Sequence, residues 1–112
     1  MKKIKGNITA LLQKKTGAEK NEIGEAVPEW EMVYTLVGFL DLSSGDSKYS
    51  SYNAKIQEST HIFVCDYQEL TAVTAENSRL ITNGKVYDVM LIDDPMELHY
   101  QLEFYLKFTG GQ

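Results

Sequence analysis

The sequence has few of the residues that build covalent, metal-centred or membrane-spanning structures. It contains one cysteine, Cys65, and two histidines, so no disulfide can form within the chain and a reducing compartment is the simple interpretation. No apolar run approaches the roughly 20 residues that span a bilayer. The apolar part of the first segment, "MKKIKGNITALL", is too short for a secretory signal. We therefore expect no disulfide scaffold, no membrane partner and no targeting segment.

Catalytic and metal-binding motifs are also lacking. His61 and Cys65 share one face of a predicted strand, but they stand about 13 Å apart there, which is too far to hold one metal ion. Asp93 and Asp94 would point to opposite faces of a strand, and with Pro95 they indicate a turn rather than a cation site. No serine lies in a nucleophile elbow, and the glycines form no phosphate loop. The sequence predicts a protein that is not an enzyme and uses no cofactor or metal ion.

Positive charge is scarce and unevenly placed. The chain has 11 lysines and arginines against 16 acidic residues, for a net charge of -5. Residues 1–20 hold six lysines and one acid, a net of +5, so the remainder carries -10. So acidic a body is unsuited to gripping DNA phosphates. The lysine-rich end is either a docking surface, a nucleic-acid contact or simply a solvated end.

Alternation of polar and apolar residues predicts about six strands and no long helix. The predicted strands cover 7–15, 30–42, 59–67, 78–82, 85–92 and 99–108. Asn83-Gly84 between two alternating runs is typical of a type I′ hairpin. Residues 14–29 are turn-rich and predict a loop or a flexible hairpin end. With 112 residues, the chain predicts one all-β domain, an antiparallel small barrel or a sandwich.

The strand 30–42 is apolar on both faces, which predicts that it is covered on both sides, at least in an assembly. Strict alternation places Val33, Val37 and Phe39 on one face. It places Trp30 and Met32 on the other, together with Tyr34, Leu36 and Leu40. A single tryptophan in such a strand is more commonly a core or interface anchor than a stacking platform for bases.

The segment 41–58 is long and polar, contains no proline, and lies between two predicted strands. Connections of this length are uncommon in small domains. A surface loop is one interpretation. A partly helical segment is a second, because Tyr49, Tyr52 and Ile56 recur on one side of a helix. A functional arm that becomes ordered on a partner is a third. The residues alone leave all three open.

The order of these features resembles the head-closure, or head–tail joining, proteins of long-tailed bacteriophages. The similar pieces are an early strand, an acidic glycine turn followed by a tryptophan, a strand that ends in a serine–glycine loop, a threonine-bearing strand, and a final hairpin and strand. They read "NITALLQKKT", "NEIGEAVPEWEMV", "TLVGFLDLSSGDSKY", "STHIFVCDY" and "NSRLITNGKVYDVMLIDDPMELHYQLEFYLK". The resemblance depends on order, spacing and chain length rather than on one motif.

The resemblance implies a structural virion protein with one small β-barrel domain spanning 1–112. Twelve copies would form a ring at the phage neck, below the portal and its adaptor ring, and tail terminator or tail proteins would dock on the other side. The protein would be made in the cytoplasm of the bacterial host, and we expect a monomer in isolation. Residues 109–112 are expected to be a flexible end.

The resemblance also implies a role for the long loop, which is 41–58 in this chain. It would point into the central channel as a stopper that holds packaged double-stranded DNA without sequence specificity, until ejection. The candidate loop residues are Ser44, Gly45, Lys48, Tyr49, Tyr52, Asn53 and Lys55. The candidate interface residues are Trp30, Tyr34, Lys2, Lys3 and Lys5.

Two alternatives accompany this prediction. A tail-completion or tail-terminator protein is also a small ring protein of the neck, but such proteins more commonly carry a longer terminal helix. A barrel that binds single-stranded nucleic acid would use Trp30, Tyr49 and Tyr52 as stacking platforms. The acidic body argues against this second alternative.

Overall fold

Six antiparallel strands close into a barrel. The computed structural model describes residues 6–20, 22–24, 26–42 and 59–111. The strands are β1 (Ile8–Lys20), β2 (Ala26–Leu42), β3 (His61–Asp66), β4 (Ser78–Thr82), β5 (Lys85–Asp93) and β6 (Gln101–Gly111). They close in the order β1-β2-β3-β6-β5-β4. The prediction of a small all-β barrel is confirmed. In the described part of the chain, no helix is long and apolar enough to cross a membrane.

The core consists of the inward-facing residues of these strands. The largest fully buried side chains are Leu12, Phe63, Leu80, Phe104 and Leu106. Phe63 and Phe104 are cross-strand partners whose ring centroids lie 6.1 Å apart. On β6 the alternation predicts the buried face correctly at its centre, whereas Tyr100 and Phe108 at its two ends are partly exposed.

The predicted hairpin at Asn83-Gly84 is present. Asn83 has a φ of 53° and Gly84 a φ of 71°. Positive φ at both central residues defines the type I′ turn, whose twist matches that of the flanking strands. β4 and β5 pair on either side of it, with Thr82 opposite Lys85. The local sequence alone therefore specifies this hairpin.

Of the two alternatives predicted for 14–29, the loop is wrong for most of its length, and the structure shows a hairpin end. β1 continues to Lys20 and β2 begins at Ala26, and the two pair from Lys20↔Ala26 onward. β1 pairs with β4 only as far as Lys14, so the hairpin beyond this point is a two-stranded ribbon. Glycine and proline made this stretch look like a loop. Pro28 is tolerated because a two-stranded ribbon leaves strand edges free of hydrogen bonds.

A β-bulge changes which face of β2 is apolar. Leu12 pairs with Tyr34 and Gln13 with Met32, which leaves Val33 as the extra residue. A bulge reverses the alternation beyond it. Tyr34 and Leu36 therefore pack toward the core, whereas Met32 is 58% exposed. Strict alternation was wrong to place Met32 on the face of Tyr34 and Leu36.

The connections divide the barrel into two ends. The loop end holds the start of β1, the Asn83-Gly84 turn, and the ends of β2 and β3 that flank the undescribed residues 43–58. The far end holds the connector 67–77 and the turn 94–100. Two boundaries need correction at the loop end. Asp41 and Leu42, which the sequence placed both in the predicted strand 30–42 and in the segment 41–58, are the last residues of β2, so the strand assignment holds. Residues 109–111, which were predicted as a flexible end, belong to β6, where Gly111 pairs with Lys85.

Candidate assembly surfaces

Trp30 lies on the outside of the barrel, where two cationic side chains pack against its ring. The guanidinium carbon of Arg79 lies 4.2 Å from the centre of the Trp30 ring, and Lys15 Nζ lies 5.6 Å from it. Arg79 Nε donates a hydrogen bond of 2.8 Å to Gln13 Oε1. Strand pairing explains the cluster, because Gln13 is opposite Arg79 and Lys15 is opposite Trp30. The outward side chains of β1, β4 and the start of β2 form what we call the cationic face: Gln13, Lys15, Trp30, Met32 and Arg79.

Tyr34, the second interface candidate, has a role within the barrel. It is partly buried and packs against the core. Its hydroxyl accepts a hydrogen bond of 2.9 Å from the Thr71 backbone N–H. Tyr34 therefore fastens the far-end connector to β2, and this visible role is structural. Its predicted part in an interface stays a prediction.

The remaining predicted site residues lie outside the described part of the chain. They are Lys2, Lys3 and Lys5 at the start, and Ser44, Gly45, Lys48, Tyr49, Tyr52, Asn53 and Lys55 in the channel-loop segment. The structure does describe the residues that flank both segments. Gly6, which directly follows Lys5, packs closely on Gly38, and Asn7 N donates to Gly38 O at 3.0 Å.

The chain returns from the segment 43–58 to the barrel just before β3, and we call this point the root of the segment. Hydrogen bonds to β6 hold the root in place. Thr60 N donates to Leu106 O at 2.7 Å, and Phe108 N donates to the Thr60 hydroxyl at 2.8 Å. The same hydroxyl lies 2.8 Å from His61 Nδ1. The His61 ring meets Tyr87 edge-on with centroids 5.0 Å apart. The segment therefore returns to the barrel at a point fixed by both β6 and the core.

The loop end carries a positive charge that acts on His61. Burial lowers the pKa of the His61 imidazole below 6.5, and the nearby Lys85 ammonium lowers that pKa further. Lys85 Nζ also lies 6.0 Å from the centre of the Phe108 ring. Lys85 is therefore one cation near the root, on the same end of the barrel as the start of β1.

An acidic and apolar surface lies on the other side of the barrel. Inward Phe63, Cys65, Leu102 and Phe104 alternate with outward residues on β3 and β6. One outward row runs across four strands, since Phe39 pairs with Val64, Val64 with Glu103, and Glu103 with Asp93. We call the outward side chains here the acidic face: Val37, Phe39, Ile62, Val64, Asp66, Asp93 and Glu103.

The carboxylates of this face are held in place. Glu103 accepts hydrogen bonds from Gln101 Nε2 at 2.8 Å and from the Tyr105 hydroxyl at 3.0 Å. Asp93 is its cross-strand partner, so two acids stand opposite each other. Burial raises the pKa of the Asp93 carboxyl, and the neighbouring Asp94 raises it further. The face is also apolar at its edge, where Val37 is 53% and Phe39 43% exposed.

The far end presents a rigid turn and a cavity. Asp94 accepts a hydrogen bond of 3.0 Å from His99 N and also contacts His99 Nδ1, and the His99 ring lies against Tyr67. The turn exposes Met96 to 84%. A cavity of about 440 Å³ lies beside it, lined by residues that include Leu70, Val73, Leu91, Glu76 and Asp94. Of the predicted turn at Asp93-Asp94-Pro95, Asp94 and Pro95 begin the turn, whereas Asp93 is the last residue of β5.

The structure does not bring His61 and Cys65 together. Cys65 is a core residue, 2% exposed, and burial raises its thiol pKa to about 12, with a smaller contribution from Asp66. His61 lies at the loop root. Among the described residues, no group of three or more His, Cys, Asp or Glu side chains is placed to hold a metal ion.

Sequence reasoning found Trp30 but missed its partners and the acidic face. Arg79 and Gln13 are 66 residues apart along the chain, and only the β1–β4 pairing joins them. Glu103 and Asp93 occupy polar positions of alternating strands, which is the one signal that could have marked them as outward. That signal gives no information about which strands are neighbours.

Comparison with protein-family models identifies a family for this chain. A protein-family model described as phage head completion protein matches residues 1–107. The match includes all six strands except the end of β6. A search of curated proteins found no match.

Proposed function

Because the chain belongs to the phage head completion protein family, which gives it a structural role in the virion beside other head and tail proteins, we propose that it forms a ring at the neck and closes the DNA channel there. In this proposal twelve copies assemble below the portal and its adaptor ring. The segment 43–58 of each copy points to the channel axis. The assembled ring receives the tail.

The observation that carries the proposal is how the segment 43–58 is mounted. It leaves β2 after Leu42 and returns through Ser59 and Thr60 to the adjacent strand β3, at one end of a closed barrel. The return is fixed by hydrogen bonds from Thr60 to β6. A long segment on a rigid barrel end suits an element that acts at a distance from the domain that carries it.

The distribution of charge also supports a loop end that faces DNA in the channel. The segment carries Lys48 and Lys55 against Asp46 and Glu58, a net charge of zero, and Lys85 lies near its root. The far-end connector 67–77 and the turn 94–100 contain no lysine or arginine. A few cations on a mostly acidic protein would let the loops meet DNA in the channel without the many phosphate contacts that would slow ejection.

The far end supports contacts with other neck proteins. The turn 94–100 exposes Met96, Leu98 and Tyr100 on a backbone held by the Asp94–His99 contacts. Apolar side chains on a rigid, otherwise acidic turn suit docking to another protein. We assign this turn to contact with the adjoining portal-side or tail-side ring.

Shortening the loop tests the stopper role. Replacing 43–58 with a short glycine–serine turn retains the described core and the β2–β3 pairing on either side of the segment, so we expect the barrel to fold. We expect particles with this variant to carry the ring but to lose packaged DNA before or without tail attachment, as measured by DNA content per head. A control variant exchanges Lys48 and Lys55 for glutamine at full loop length. Filled, stable heads with the shortened loop would refute the stopper role.

A further inference from the structure

We propose that neighbouring copies contact each other head to tail, with the cationic face of one copy packed on the acidic face of the next. The inference rests on the proposed ring and specifies its subunit contact. Each face alone is an exposed, partly apolar patch. Together they are complementary in both charge and chemistry.

The positions of the two faces match what a ring requires. The cationic face takes Trp30 and Met32 from the start of β2, and the acidic face takes Val37 and Phe39 from β2 and Asp93 from β5. The centre of the cationic face is the neighbouring strands β1 and β4, and the centre of the acidic face is the neighbouring strands β3 and β6. β2 separates them on one side and β5 on the other, so they lie on opposite walls of the barrel. In a ring of twelve, each copy turns by about 30°, so the two contact surfaces of a subunit must be nearly opposite.

The proposed direction of the loop end determines which surfaces of the barrel remain for contact between copies. If the loop end points to the channel, neighbours meet along the sides of the barrel and not at its ends. Four walls are then available, centred on β1/β4, β2, β3/β6 and β5. Pairing the β1/β4 wall with the β3/β6 wall brings the Arg79 and Lys15 cations against Glu103 and, at the border of β6 with β5, against Asp93. Within each copy, Arg79 also stands opposite Asp88 of β5.

The side chains on both faces are already ordered for this contact. Arg79 is fixed by Gln13 and Trp30, which leaves a planar guanidinium pre-oriented on a flat aromatic surface. Such a group suits bidentate binding to a carboxylate. Glu103 is likewise held by Gln101 and Tyr105. Little side-chain freedom is lost when two fixed groups meet.

Apolar surface adds to the charge complementarity. Met32 and Trp30 flank the cations, and Val37, Phe39 and Val64 flank the carboxylates. This arrangement of aromatic and apolar contacts with charged pairs is typical of specific interfaces. It also argues against a two-fold dimer through either face, since that would oppose like charges.

Charge exchange in assembled particles tests the contact. We expect Arg79→Glu and Glu103→Arg each to abolish incorporation of the ring, and the double variant to restore at least half of it, because the charge pair is rebuilt with reversed polarity. Glu69→Arg, on the far-end connector, is the control and leaves incorporation unchanged. Circular dichroism and thermal unfolding of each purified monomer show that the variants fold. A double variant no better than the singles would overturn the proposal.

Cross-linking gives an independent readout. Cys65 is buried with a thiol pKa of about 12, so introduced cysteines react in its place. In particles, a short bis-maleimide should link Lys15→Cys/Val64→Cys into a ladder of covalent multimers, with each single variant giving no ladder. The control pair Thr35→Cys/Glu97→Cys, on the β2 wall and the far-end turn, should also give none.

Together, the two tests distinguish a wrong assignment of the contact faces from the absence of the ring. A wild-type neck that contains a ring of this protein, with a ladder from the control pair instead, would overturn the assigned faces and leave the proposed function standing. A wild-type neck without such a ring would overturn both. A ladder from the β1 and β3 cysteines together with charge-exchange rescue supports the contact.

Discussion

At the scale of single residues, Gly38 has the least room for a side chain among the described glycines. A Cβ built on it would lie 2.1 Å from Val64 O and 3.0 Å from both Cys65 Cβ and Phe63 Cζ. Gly6 packs on its other side. The obstacle is largely backbone, which cannot turn away as a side chain can. Gly38 is therefore where the N-terminal segment, β2 and β3 are held together.

Gly38→Ala should lower the free energy of unfolding by about 3 kcal/mol, the upper part of the usual range for an overpacked core. Denaturant unfolding measures the change. Gly17→Ala is the matched control, since a Cβ there meets nothing within 4 Å. The control should change the free energy by less than about 0.5 kcal/mol. Equal effects at both positions would contradict the packing described for Gly38.

His61 should titrate below 6.5 in the folded protein, because burial and the Lys85 ammonium both disfavour its charged form. Since the unfolded chain binds this proton more readily, the neutral ring stabilises the fold above pH 6.5, and this contribution is lost as the pH falls from 6.5 to the folded pKa. Lys85→Met should raise the His61 pKa partway toward 6.5 in an NMR titration. Lys15→Met, on the cationic face, should leave it unchanged. A His61 pKa at or above 6.5 in the wild type would be inconsistent with this environment.

At the scale of elements, the β1–β2 ribbon is the least supported part of the described chain. Beyond Lys14 the two strands pair only with each other, and an isolated two-stranded ribbon is marginal in water. We expect the amides of 17–20 and of 26, 27 and 29 to exchange with solvent much faster than those of β3, which lies between β2 and β6. Hydrogen exchange followed by mass spectrometry resolves the two regions. Equal protection of ribbon and β3 in the isolated protein would contradict this account.

The elements also show where sequence patterns succeed and fail. The Asn83-Gly84 hairpin was predictable because two adjacent residues determine its turn. The ribbon was not, because pairing between residues 15–20 and 26–30 satisfies backbone groups in a stretch that otherwise has the composition of a loop. The bulge at Val33 was not predictable either, since one extra residue reverses the alternation without a marker in the sequence.

Similar limits apply to the candidate surfaces. Trp30 could be identified from its type and its place on an apolar strand. Its contacts with Arg79 and Gln13 follow from the β1–β4 pairing, which closes the barrel between distant parts of the chain. The acidic face likewise exists only because β3 lies beside β6 and β6 beside β5. Long-range strand order, rather than local preference, creates both surfaces.

At the scale of the whole molecule, the three proposed kinds of contact lie on different sides of the barrel. The loop end carries the segment 43–58, the two opposite walls carry complementary charge, and the far end carries the rigid turn 94–100. A subunit arranged in this way can meet the channel, two neighbours and another neck protein at once. The free monomer has none of these partners, so we expect it to remain monomeric at micromolar concentration in light scattering.

The most direct test of the central claim is electron cryomicroscopy of the neck in intact, DNA-filled particles. The account predicts a twelve-membered ring of this protein between the portal side and the tail, with residues 43–58 of every copy meeting at the channel axis. In that ring, Arg79 of each copy should lie within salt-bridge distance of Glu103 in the next. A neck in which residues 43–58 point away from the channel, or in which this protein is absent, would contradict the account.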